Sequence, residues 1–256
     1  MKTYLVSGAG SGIGRAISQN LAAASSENSI ALLGRNRANL EHTLETLPKP
    51  ERHLVLEADL TDRESVAHAV SKLKNRNLAG VIANAGVGGE NRYGAHGNGD
   101  RWSEVIATNL TGTYILVNEV LPALRASRTE FRHVILISSI LARLGVPGYS
   151  AYCASKAGLL GLMRSWAAEL APEKILVNAI CPGWVATDMA RDGIAAFARA
   201  SGRSNDEVLA EQMKPVPLGK MSRPEEIGSL VGYLVSGAQN SITGQALDMN
   251  NGALMP

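Results

Sequence analysis

A tyrosine, a lysine and a serine stand at spacings that could manage one proton on one carbonyl oxygen. Tyr152 and Lys156 are four residues apart in Tyr152-Cys-Ala-Ser-Lys156, and Ser139 lies thirteen residues before the tyrosine. On a helix, residues four apart share a face about one turn from each other. Free tyrosine, with a pKa of ~10, is a poor base at neutral pH. A neighbouring ammonium favours the phenolate, so the lysine is expected to pull the phenol towards a useful acid–base range. A Tyr-x3-Lys pair is common on helices, so its meaning depends on the elements around it.

Those elements begin at the N-terminus. Thr3-Tyr-Leu-Val-Ser7 reads as a short buried strand that runs directly into Gly8-Ala-Gly-Ser-Gly-Ile-Gly14. From Arg15 the composition is helical, with Ile13, Ala16, Ile17 and Leu21 on one face. Strand, glycine turn and helix form the front half of a nucleotide-binding βαβ unit. Its glycines let backbone approach a pyrophosphate, and the helix start offers free N–H groups and a positive dipole end. The spacing is Gly-x3-Gly-x-Gly rather than G-x-G-x-x-G.

Strand-like runs then alternate with helical stretches: Ser29–Leu33, Leu54–Glu57, Gly80–Ala83, His133–Ser138, Ile175–Ile180 and Ala246–Met249 against Arg37–Thr46, Arg63–Asn75, Arg101–Leu124, Tyr152–Leu170 and Pro224–Leu234. This predicts one α/β domain spanning 1–256, a parallel sheet with helices on both faces. No repeat or linker divides it. Ligands of such sheets collect beyond the carboxyl ends of the strands. Gly8–Gly14, Asn84-Ala-Gly86, Ser138-Ser139 and Pro182-Gly183 all fall at that edge.

Composition narrows the function. A net charge of +2 with 19% charged residues in 256 gives no nucleic-acid footprint. No apolar run is long enough to span a membrane and no signal-peptide pattern opens the chain, so a cytoplasmic protein is expected. Cys153 and Cys181 make neither a disulfide framework nor a metal cluster. His42, His53, His68, His96 and His133 are dispersed and no metal is expected. Ser139 lacks the G-x-S-x-G elbow of serine hydrolases.

Taken together, Ser7–Gly14, Asp59-Leu-Thr-Asp62, Ala83–Gly86, Asn109-Leu-Thr-Gly112, Ile137–Ser139, Tyr152-x3-Lys156, Pro182-Gly-Trp-Val-Ala-Thr187 and Thr243-Gly-Gln-x3-Met-Asn-Asn-Gly252 resemble the short-chain dehydrogenases/reductases over the whole chain. The resemblance implies a three-layer Rossmann-like fold with a seven-stranded parallel sheet, assembled as a homotetramer. It implies that Tyr152 gives or takes the proton and that Lys156 favours the tyrosinate and holds the nicotinamide ribose. Ser139, with Ser138 as its rival, would bind the substrate oxygen, and Asn109 would support a water relaying protons to the lysine. Gly8, Ser11, Gly12, Ile13 and Gly14 would cradle the cofactor phosphates. Asp59 would meet the adenine, Asn84 and Gly86 the adenosine ribose and neighbouring backbone, and Val185 and Thr187 the nicotinamide carboxamide, with Leu60 and the Pro182-Gly183 turn also among the cofactor-binding residues. A lid at about 188–220 would close over the substrate.

Cofactor choice turns on Ala31-Leu-Leu-Gly-Arg35-Asn36. An NAD-binding unit carries a carboxylate here for the ribose 2′-hydroxyl. Gly34 takes that place and Arg35 follows, able to pair with a 2′-phosphate, so NADP(H) is favoured over NAD(H). Leu141, Val146, Tyr149 and Trp184 are expected in an apolar pocket wall, with Arg143 as an optional anchor for an anionic group. Val87–Asp100 is a second glycine-rich loop near the site. The expected function is an NADP(H)-dependent ketone reductase acting on a small or medium carbonyl. The alternatives are an NAD-dependent secondary-alcohol dehydrogenase and a catalytically idle dinucleotide sensor. Helices at Leu110–Leu124 and Leu159–Leu170 are apolar beyond one stripe, which suits assembly.

Overall fold

The computed structural model describes residues 1–91 and 100–255. Most of the Val87–Asp100 loop therefore lies outside the described residues. Seven strands form one parallel sheet: β1 (Lys2–Ser7), β2 (Asn28–Gly34), β3 (Leu54–Glu57), β4 (Leu78–Ala83), β5 (Arg132–Ile137), β6 (Ile175–Pro182) and β7 (Ala246–Met249), in the order β3-β2-β1-β4-β5-β6-β7. Nine α-helices accompany them among the described residues: α1 (Gly12–Ala24), α2 (Arg37–Glu45), α3 (Arg63–Ser71), α4 (Trp102–Ile106), α5 (Gly112–Arg125), α6 (Ser150–Leu170), α7 (Asp188–Ser201), α8 (Asn205–Met213) and α9 (Pro224–Val235). This is the three-layer Rossmann-like fold expected.

Side chains alternate across the strands. Leu5, Val81, Val134 and Leu136 join a core with Leu116 and Val120 of α5 and Leu159 and Met163 of α6. Tyr4, Val6, Ile82 and Ile135 join the opposite core with Ile17 and Leu21 of α1 and Ile227 and Val231 of α9. Both faces are covered, which is why these strands read as nearly continuous apolar runs.

Two departures from the expected elements matter. The single helix expected over Arg101–Leu124 is interrupted by a π-helical turn at Ala107–Thr111, which carries Asn109. Such a turn inserts one residue and redirects a side chain, and no residue type marks it. The 188–220 segment is two helices, α7 and α8, with a small core of their own: Ile194, Ala198 and Val208, flanked by Trp184, Phe197 and Met221. No helix of the described chain is long and apolar enough to cross a membrane.

Candidate active site

The strand order reverses between β1 and β4, which opens a crevice at their carboxyl ends. Gly8–Gly14 leaves β1 there and Asn84–Gly86 leaves β4. Gly8 adopts φ +64 and Gly12 φ +49, a region that L side chains rarely occupy. A methyl group on Gly14 would lie 2.1 Å from the Gly8 carbonyl oxygen, so only glycine lets α1 pack against the turn. Asn84 braces this turn: its Nδ2 donates to the carbonyls of Ser7 (3.0 Å) and Gly8 (3.3 Å). The expected ribose contact would thus have to come from its other atoms.

The turn fits a pyrophosphate. Asn36, Asp62, Thr187 and Ser204 cap α2, α3, α7 and α8 with their side chains, whereas Ser11 makes no such bond to α1 and no acid stands in its first turn. The first N–H groups of α1 are left to donate to an anion. Opposite them stands Thr187, whose methyl is 3.2 Å from where a side chain on Gly12 would begin. The Pro182–Thr187 segment is therefore the other wall of the same crevice. Gly183 donates to the Met249 carbonyl at 2.9 Å, and Val185 is buried and bridges to Ser222.

Arg35 stands exposed at the end of β2, close enough to Asp59 and Glu104 to help hold both carboxyls below their ordinary range. The Asp59 carboxylate itself accepts from the Thr61 N–H (2.9 Å) and hydroxyl (2.8 Å). It is a turn cap as well as a crevice residue. Leu60 is buried in the core against Gly112, so only its backbone is available to a ligand.

The chemical end lies beyond β5 and the start of α6. The two adjacent serines separate in role. Ser138 Oγ donates to the Lys156 carbonyl at 2.8 Å, a tie between β5 and α6. Ser139 Oγ accepts from the Leu141 N–H at 3.1 Å and lies near enough to the Tyr152 phenol to pull its pKa down. Lys156 is buried, donates to the Ile137 carbonyl at 2.9 Å, and holds its ammonium 5.5 Å from the Tyr152 ring centre.

Electrostatics reverse one expectation. Burial pushes the Tyr152 phenol up to about 12, against the downward pull of Ser139. Desolvation also brings Lys156 down to about 8. For both groups, burial away from water penalises the charged form and is the largest cause of the shift. The phenol therefore holds its proton at neutral pH, which suits an acid.

Asn109 is buried in the π-turn, and its amide is spent: Oδ1 accepts from the Val87 N–H (2.8 Å), and Nδ2 donates to the Val87 carbonyl (3.0 Å) and Ser155 Oγ (3.1 Å). This side chain clamps the strap after β4, so any water that Asn109 supports would have to be held by its backbone. Gly86 sits between Asn109 and Lys156, and a methyl there would approach Asn109 Oδ1 to 3.2 Å and Lys156 Nζ to 3.5 Å.

Arg143 is not a substrate anchor. Its Nη2 donates to the Ala246 carbonyl (3.0 Å) and its Nε lies 3.1 Å from Asp248 Oδ1, both on β7. Of the expected pocket wall, Tyr149 stacks on Phe197 of α7 with ring centres 6.0 Å apart, and Trp184 packs into the small core of α7 and α8. Two neighbours of the site have no signature in the sequence. Met189 of α7, half exposed, comes within 3.3 Å of where a side chain on Gly88 would begin, and the Tyr152 ring lies 3.9 Å from the same point. Ser155 is found only through its bond to Asn109. No group of three or more potential metal ligands occurs among the described residues.

The chain matches, over residues 8–253, the family model described as enoyl-(acyl carrier protein) reductase. It is 32% identical over 254 residues to the 3-oxoacyl-acyl-carrier-protein reductase FabG of Rickettsia typhi, covering 99% of this chain and 97% of that protein. Among solved structures it is similar to a short chain dehydrogenase family protein from Francisella tularensis (TM-score 0.87, 25% identity, 99% of this chain and 98% of the other). It is also similar to a variant actinorhodin polyketide ketoreductase solved with NADPH (TM-score 0.91, 28% identity, 98% and 97%).

Proposed function

This chain belongs to the short-chain dehydrogenase/reductase family, as an oxidoreductase acting on carbonyl or secondary-alcohol groups, and from that membership we propose that it is an NADP(H)-dependent reductase of small or medium ketones with Tyr152 as proton donor. The observation that carries the reading is a phenol that keeps its proton, set between the Ser139 hydroxyl and the buried Lys156 ammonium.

When bound, the nicotinamide supplies the hydride; the protein must orient the carbonyl and manage the proton. Ser139 accepts from Leu141, which leaves its own O–H free to donate to the substrate oxygen and stabilise charge as it develops there. Tyr152 then passes its phenolic proton to that oxygen. The tyrosinate so formed is stabilised by Lys156, which spends one of its three N–H groups on Ile137 and keeps two for the site. Asn109 holds Val87, and with it the backbone of Gly86 against the lysine. In the alcohol-oxidising direction the same groups work in reverse.

Three features support the cofactor and its placement: the uncapped start of α1, the absence of a carboxylate at Gly34 with Arg35 beside it, and the similarity to a ketoreductase solved with NADPH. A homotetramer belongs to the same reading, supported by Trp102 and Tyr114, which stand about half exposed, Tyr114 stacking on Trp166 of α6.

The test is consumption of NADPH and of NADH against a panel of ketones, with Tyr152→Phe beside the parent. Turnover with NADPH that collapses in the variant is the expected result. Tight cofactor binding without turnover in either direction would overturn the reductase reading in favour of a dinucleotide sensor.

A further inference from the structure

Three side chains that the reaction does not use meet beneath the turn that carries Ser139. Arg143 closes the 3-10 turn Ile140–Ala142 that Ser139 opens: the Ala142 N–H donates to the Ser139 carbonyl (3.0 Å) and the Arg143 N–H to the Ile140 carbonyl (2.9 Å). The Arg143 side chain then crosses to β7, where it holds the Ala246 carbonyl and the Asp248 carboxylate. Nε and Oδ1 are 3.1 Å apart but too skewed for a straight hydrogen bond, so this is an ion pair. Cys181 of β6 faces Asp248 directly across the sheet and is buried between that pair and Ser138.

The placement of the pair asks for a role. The Arg143 and Asp248 side chains are only 24% and 18% exposed, and withdrawing charges from water is costly unless they do something there. Beyond Arg143 the chain is tied at its two ends, the Leu144 N–H donating to the Ile140 carbonyl and the Gly148 carbonyl accepting from the Asn91 N–H, and is open between them. Leu144 and Pro147 are exposed, and nothing lies within 4 Å of where a Gly145 side chain would begin. The Ser139 turn is thus followed by an open loop, and the guanidinium joins its far end to the sheet.

We propose that Arg143 is a positioning residue: by tying the Ser139 turn to Ala246 and Asp248 of β7, it holds the Ser139 hydroxyl at the reacting oxygen. The inference rests on the proposed role of Ser139. Displacement of such a group by a fraction of an ångström is enough to lower turnover. Arg143→Met should reduce kcat about ten-fold. Arg143→Lys, which can reach only one of the two partners, should recover part of the loss.

The distinguishing measurement is a double-mutant cycle with Ser139→Ala. If Arg143 acts through the Ser139 hydroxyl, adding Arg143→Met to Ser139→Ala costs little more, whereas independent structural damage multiplies the two losses. A second readout needs no turnover. Hydrogen exchange should accelerate in Arg143→Met over residues 139–145 and stay unchanged along α6. Multiplying losses, or a turn that exchanges as in the parent, would overturn the proposal. A parent that reduces no ketone would count against the reductase reading, and the exchange experiment would still decide whether Arg143 holds the turn.

Discussion

Ser138 donates to the Lys156 carbonyl over 2.8 Å, while its neighbour Ser139 turns to the opposite side and faces the Tyr152 phenol. Successive residues leaving a strand point to opposite faces, so one serine holds α6 and the other, on the proposed reading, is left for substrate. Ser139→Ala should lower kcat by about 10²-fold with little change in thermal stability, as for loss of a donor to a developing oxyanion. Ser138→Ala should instead cost about 1 kcal/mol of stability, the typical worth of a buried hydrogen bond. Kinetics and thermal melts on both variants check the division; matched effects would refute it.

The pH dependence of ketone reduction follows from the two displaced ionisations. Lys156 loses its charge as pH rises through about 8, whereas Tyr152 holds its proton to about 12. kcat/KM, which reports the free enzyme, should therefore fall above pH 8 because the tyrosinate loses its stabilising cation, not because the acid is spent. Lys156→Arg keeps the charge at every accessible pH and should abolish that limb whatever its absolute rate. A limb that survives in the variant assigns it to another group.

Arg35→Asp should weaken NADPH more than NADH, since the substitution both removes the guanidinium and places a carboxylate against the 2′-phosphate. Dissociation constants for the two cofactors measure this by fluorescence titration. Equal losses for both would remove Arg35 as the discriminator.

His133 lies buried in β5 outside the site, and burial with help from Lys2 lowers it from 6.5 to about 4. Because the folded-state value is the lower one, the unfolded chain binds the proton first, and stability falls as pH drops below 6.5 until about 4. At 1.36 kcal/mol for each pH unit that gap amounts to roughly 3 kcal/mol. Urea unfolding at pH 7.5, 5.5 and 4.5 should trace the fall, and His133→Gln should flatten it. His53 adds to the same trend: its Nδ1 accepts from the Ile30 N–H at 3.0 Å, which a protonated ring cannot do, and burial lowers its pKa as well.

Much of the fold was legible in the chain because it rests on local rules. Apolar runs such as Ile30–Leu33 and Val134–Ile137 are buried on both faces, and every strand expected from sequence is a strand. The glycine turn was legible for the same reason, since the positive φ of Gly8 and Gly12 and the close approach at Gly14 admit no other residue. Tyr152, Lys156 and Ser139 were visible as chemistry-bearing types at helical and strand-end spacing.

What the chain alone could not reveal depends on partners distant in sequence. That Asn84 is spent on the Gly8 turn, Asn109 on Val87 and Ser155, and Arg143 on Ala246 and Asp248 is decided by which neighbours the packed sheet and helices bring within hydrogen-bonding distance. The phenol belongs with them. Sequence placed a cation one helical turn from Tyr152 and so pointed to a lowered pKa, but tertiary burial raises it, because desolvation grows with everything packed around a group and not with its nearest charged neighbour. Residue types and their order determined the elements and the candidate groups; the packed interior decided which polar atoms remain free and in which protonation state.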